Sequence, residues 1–81
     1  MKRNEIHVGH TYQNKGAGNT RRKVVAIGTH IVPERYFGGG ERPAEVGVKF
    51  VQTGLRGMYT DELYLSSFAQ WAGKDVTEDL A

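Results

Sequence analysis

Three histidines have the spacing that most invites a chemical reading. His7 and His10 form an H-x-x-H pair, and His30 lies one hairpin further on, so three imidazoles could be offered to a zinc ion with one position left open. On a strand, however, side chains three apart point to opposite faces, so His7 and His10 cannot readily share an ion. No metal is expected, and His10 is read as a hydrogen-bonded residue at a core edge. Nucleophilic chemistry is no better supported. Ser66 and Ser67 lack a nucleophile elbow and are read as helix caps. Asp61 and Glu62 are neighbours in sequence, which does not make the facing pair of carboxylates that acid–base catalysis needs. The stretch KGAGNT (15–20) is rich in glycine, but its spacing is not that of a phosphate loop. With no cysteine in the chain, neither a thiolate site nor a disulfide is available. The expectation is a non-enzymatic protein with no catalytic residue and no cofactor.

A different chemistry is written in the cations. Arg21, Arg22 and Lys23 open the most β-branched stretch of the chain, Lys15 precedes them in a loop, and Arg35, Arg42 and Lys49 follow. Such side chains suit phosphate oxygens. Alternation sends Arg21 and Lys23 to one face of a strand and Arg22 to the other, so one patch cannot hold all of them. Lys15, Arg21, Arg22, Arg35, Arg42 and Lys49 are the candidate nucleic-acid contacts. Tyr36 and Phe37, beside Arg35 in RYFGGGERP (35–43), could add stacking on a single strand. Tyr36, Phe37, Tyr59 and Tyr64 are also the candidate anchors for a protein partner.

The elements that must position these residues are short. Eleven glycines in 81 residues punctuate the chain as in a small all-β protein. EIHVGHTYQNK (5–15) alternates so that a strand would bury Ile6, Val8, His10 and Tyr12. In TRRKVVAIGTHIV (20–32) either Val25, Ile27, Thr29 and Ile31 or Val24, Ala26, His30 and Val32 could face the core, with Gly28 a natural bend. AEVGVKFVQT (44–53) alternates again, and a weaker strand surrounds Met58 and Tyr59. Leu65, Phe68, Trp71 and Ala72 then recur at helical spacing, with Gly73 suited to the position after the helix end. Four or five short antiparallel strands and a short C-terminal helix suggest a mainly β fold, either a small SH3-like barrel or a strongly bent sheet. The connection from Pro33 to Pro43, about ten residues, is longer than the two to five usual in a hairpin. A single domain is expected, with its core over about 5–73 and an acidic, frayed tail over 74–81.

Charge is unevenly placed along this domain. Net charge is +2, yet residues 1–60 hold ten Lys/Arg against four Asp/Glu, whereas 61–81 hold one against five. A basic body with an acidic end points toward polyanionic partners or toward masking of the body by the tail. The N-terminus has no apolar run of the secretory kind, and no stretch is long enough to span a membrane. A cytoplasmic protein is the expectation.

The ordered features VGHTYQNKG, RRKVVAI, VGVKF and GMYTDELYLSSFAQWA resemble a group of short phage and prophage accessory proteins. The shared pattern is a Tyr-x-Asn strand (Tyr12, Asn14), a glycine turn (Gly16, Gly18), an Arg-led aliphatic strand (Arg21 to Ile27), a Val-rich strand (Val46 to Phe50) and a closing F-x-x-W-A (Phe68 to Ala72). The resemblance implies an accessory protein of compact β fold acting in the cytoplasm of a bacterial host cell, and it transfers no site residue. Two functions follow as expectations. The first is a module that binds nucleic acid or a nucleoprotein complex through its basic face. The alternative is an anti-CRISPR-like, protein-binding inhibitor of a bacterial host or defence complex, using exposed aromatics.

Overall fold

One extra residue in one strand decides which side chains reach the core. The structure, a computed structural model, describes residues 1–16, 20–33, 45–54 and 57–78. Its strands are β1 (Thr11–Asn14), β2 (Arg21–Gly28), β3 (Gly47–Gly54), β4 (Gly57–Tyr64) and β5 (Ala72–Asp75). They form a single antiparallel sheet in the order β4-β3-β2-β1-β5. A 3₁₀ turn at Arg3–Glu5 precedes β1, and helix α1 (Leu65–Trp71) joins β4 to β5. The edges β4 and β5 do not pair with each other. The mainly β architecture is therefore present as an open sheet with a short helix, not as a closed barrel.

In β2, Val24 pairs with Phe50 but Ala26 pairs with Lys49, which makes Val25 a β-bulge. The bulge reverses the parity of the strand. Arg22 and Val24 face the helix-covered side before it, and Ile27, opposite Val48, does so after it. Neither of the two simple alternations expected for this strand is realised, because each assumes a regular ladder. The break falls at Val25 and not at Gly28.

The inner face of the sheet packs under α1. Tyr12, Val24, Val48, Phe50 and Phe68 have no exposed surface, and Phe68 is the hub of the aromatic contacts. Its ring centroid lies 5.7 Å from that of Tyr12 at 87°, 5.4 Å from Phe50 and 5.3 Å from Trp71, within the range of favourable edge-to-face and tilted pairs. Burial pushes the Tyr12 phenol above its ordinary pKa. Its hydroxyl accepts from His7 N–H at 2.7 Å and donates to the carbonyl of Glu5 at 2.8 Å, so the buried oxygen is satisfied on both counts.

Three local expectations are corrected. The first strand begins only at Thr11, because Gly9 takes φ +88° and His10 N–H closes a turn onto His7 C=O. This leaves Val8 exposed while Ile6 and Tyr12 stay buried. Helix α1 receives no serine cap. Ser66 instead directs both its N–H (3.3 Å) and its hydroxyl at the Glu45 carboxylate, which places a negative group at the helix start. Over the described residues after Trp71, to 78, the chain does not turn away through Gly73. It continues as β5 against β1, Val76 is buried, and Val76 N–H donates to Thr11 C=O at 2.8 Å. Glycine suits that edge, since a Cβ on Gly73 would lie 2.9 Å from the backbone of Asn14 and Lys15.

Candidate nucleic-acid interface

Residues that pair across strands share a face, so the register sorts the cations. One row of the outer face runs Lys74–Gln13–Arg21–Thr53–Met58, the next runs Thr11–Lys23–Val51–Thr60, and a third holds Ala26–Lys49–Glu62. Lys74, Arg21, Lys23 and Lys49 therefore lie on the side of the sheet away from α1. Lys15 stands exposed at the end of β1 and shares a shallow open cleft of about 340 Å³ with Gln13 and Lys74.

Among the described residues, the register places one carboxylate on this face with the five cations, Glu62, which is the partner of Lys49. Asp61 and Asp75 have the opposite parity, opposite Phe50 and Tyr12. The sequence's basic body and acidic end are thus converted by folding into a basic outer face and an inner side that keeps those carboxylates. Taking about 5 Å between strands and about 7 Å per two residues along them, the line from Lys74 through Arg21 and Lys23 to Lys49 is a diagonal of about 20 Å.

Arg22 has a different place. Its guanidinium lies 4.6 Å from the Phe50 ring centroid and 4.1 Å from that of Trp71, and its Nε donates to Gln52 Oε1 at 2.6 Å. The geometry sets Arg22 on the inner side, apart from Arg21 and Lys23. Arg22→Ala is expected to cost about 1–2 kcal/mol of stability, as for a partly desolvated cation over aromatic rings, and to leave polyanion affinity nearly unchanged. Urea unfolding followed by circular dichroism, with a binding titration on the same variant, checks both halves.

The other candidates separate as follows. Lys15, Arg21 and Lys49 stand with the outer face. Tyr59 is 47% exposed on edge strand β4, while Tyr64 is 9% exposed, which leaves little of its ring for a partner. Arg35, Tyr36, Phe37 and Arg42 lie outside the described residues. Lys23 and Lys74 join the basic face without having been singled out as contacts. The alternation of β2 could have signalled Lys23, but Lys74 was read as part of a helix end and tail, which concealed its place on a strand.

The histidines form a smaller cluster. His7 and His10 rings are 5.1 Å apart, and His10 Nδ1 lies 2.6 Å from Asp75 Oδ2. Burial pushes the Asp75 carboxyl up, but hydrogen bonds from Thr77 and His10 outweigh it and hold its pKa below the ordinary value. Among the described residues no group of three or more His, Cys, Asp or Glu side chains is placed to hold a metal ion, and no helix is long and apolar enough to cross a membrane. Comparison of the chain with protein families, with curated proteins and with solved structures finds no match.

Proposed function

We propose that the protein is a small non-enzymatic module that binds nucleic acid, free or within a nucleoprotein complex, through the outer face of its sheet. The observation that supports this reading is the gathering of Lys15, Arg21, Lys23, Lys49 and Lys74 on one side of the sheet, the lysines exposed and Arg21 half-buried, where the register places a single carboxylate among the described residues. The role fits a phage-type accessory protein, as the sequence resemblance implies. Five phosphate contacts would release about five counterions, so affinity should fall by about a thousandfold or more between about 50 and 300 mM salt. Fluorescence anisotropy of a labelled oligonucleotide across that range is the test, and flat binding overturns the proposal.

A protein-binding inhibitor is the second reading, and β4 favours it. This eight-residue strand is a sheet edge in the described structure and exposes Met58 and Tyr59, and such an edge can accept a strand from another chain. A stoichiometric protein partner that survives nuclease treatment of a bacterial lysate, and is lost in a Met58→Asp/Tyr59→Asp variant, supports it over the first.

A further inference from the structure

We infer that the outer face is built for double-stranded nucleic acid, gripped through its phosphates without base stacking; this rests on the nucleic-acid reading above. A single strand is held sequence-tolerantly when cations track its backbone and aromatic rings receive its bases. The described outer face has the first component without the second. Tyr12, Phe50 and Phe68 are wholly buried, Tyr64 is nearly so, and Trp71 is engaged with Arg22. Tyr59, the exposed aromatic of β4, pairs with Gln52 and so belongs to the inner parity. In place of rings, the face offers Gln13, Val51, Thr53 and Thr60 between its cations, while Thr11 is buried.

The Cα atoms that carry these cations are also spaced by the sheet in a way that suits a preformed lattice of charge. Four of the five sit on strand positions, each held by a ladder partner: Lys74 by Gln13, Arg21 by Gln13 and Thr53, Lys23 by Thr11 and Val51, and Lys49 by Ala26 and Glu62. Their Cα spacing is set by the sheet, so a flexible strand would lose its freedom to match it, whereas a duplex already holds its phosphates in a fixed array. A diagonal of about 20 Å matches the rise of about six base pairs. Contacts of this kind position a protein on the duplex and carry no sequence information.

The test compares a labelled twelve-base-pair DNA duplex with each of its separated strands by anisotropy, at one salt concentration of about 100 mM. The duplex is expected to bind at least about tenfold more tightly than either strand, and a duplex of scrambled sequence to bind within about twofold of the first. Alanine at Arg21, Lys23 or Lys49 should each reduce the slope of log affinity against log salt by about one. Equal or tighter binding of a single strand overturns this inference but leaves the nucleic-acid function standing. Binding of neither probe by the folded protein overturns both.

Discussion

Phe68→Ala is expected to remove about 3–5 kcal/mol of folding stability, the range for deleting a fully buried aromatic ring. Phe68 has no exposed surface, and its ring meets Tyr12, Phe50 and Trp71 at once. The residues around it belong to three separate parts of the chain, β1, β3 and α1 itself, so collapse onto the cavity from one side would break contacts on another. A domain of 81 residues has only about 4–12 kcal/mol of total stability. Much of it therefore hangs on this one ring. Urea unfolding followed by far-ultraviolet circular dichroism should show the midpoint lowered in proportion to that loss. A loss below about 1 kcal/mol would mean that α1 does not pack on the sheet as described.

Gly47→Ala is the second severe change. A Cβ at Gly47 would lie 2.1 Å from the carbonyl oxygen of Ile31 and 2.8 Å from its Cβ and Cγ2. Those atoms belong to the segment after β2 that folds back over the sheet, where Ile31 and Pro33 are buried. Backbone cannot swing aside as a side-chain tip can, so the cost should reach about 3 kcal/mol or more. Gly28, the register partner of Gly47, provides the control. There the three atoms nearest to a Cβ all belong to the imidazole of His30, the closest at 2.5 Å, and His30 is an exposed side chain and not backbone. Gly28→Ala should change stability by no more than about 0.5–1 kcal/mol, with the entropic gain of losing a glycine offsetting the displacement. Thermal melts of the two variants side by side separate close backbone approach from a general intolerance of this strand pair.

Much of this architecture was legible in the sequence, and the misses share a cause. Alternation in AEVGVKFVQT sets Val46, Val48 and Phe50 against Lys49 and Gln52; β3 has Val48 and Phe50 buried and Lys49 exposed, but Gln52 shares the inner side with Arg22. Helical spacing marked Leu65, Phe68 and Trp71, and α1 spans Leu65–Trp71. Period counting fails wherever the chain departs from a regular ladder. The bulge at Val25 makes Val24 and Ile27 share a face, which no period of two allows. At Gly9 a turn interrupts an apparent strand after Val8. The edge strand β5 was hidden because Gly73 and the acidic residues after it read as a helix end and tail, although Tyr12 and Gln13 find register partners there. Of the candidate site, the split between Arg21 and Arg22 followed from alternation alone. That Arg22 is spent on Phe50 and Trp71 depends on where the helix lands, and no local pattern encodes that.

The segment 34–44, which contains RYFGGGERP, lies outside the described residues, between Pro33 and Glu45. Pro33 follows the residues that cover Gly28 and Gly47, next to the row of the sheet that holds Lys49. The function proposed above asks nothing of this segment, because the cations that define the face lie on β2, β3, β5 and the turn after β1.

The proposed binding depends on the position of charge and not on its total. A charge-matched exchange tests it most directly. Lys23→Glu/Lys49→Glu and Lys2→Glu/Arg3→Glu change net charge equally, but the second pair lies at the 3₁₀ turn and off the outer face. With both variants shown to be folded by circular dichroism, affinity for a labelled duplex at about 100 mM salt should fall about a hundredfold for the first and by less than about threefold for the second. Equal losses in the two variants would contradict the account, since the protein would then bind by its overall charge and the sheet face would have no special part.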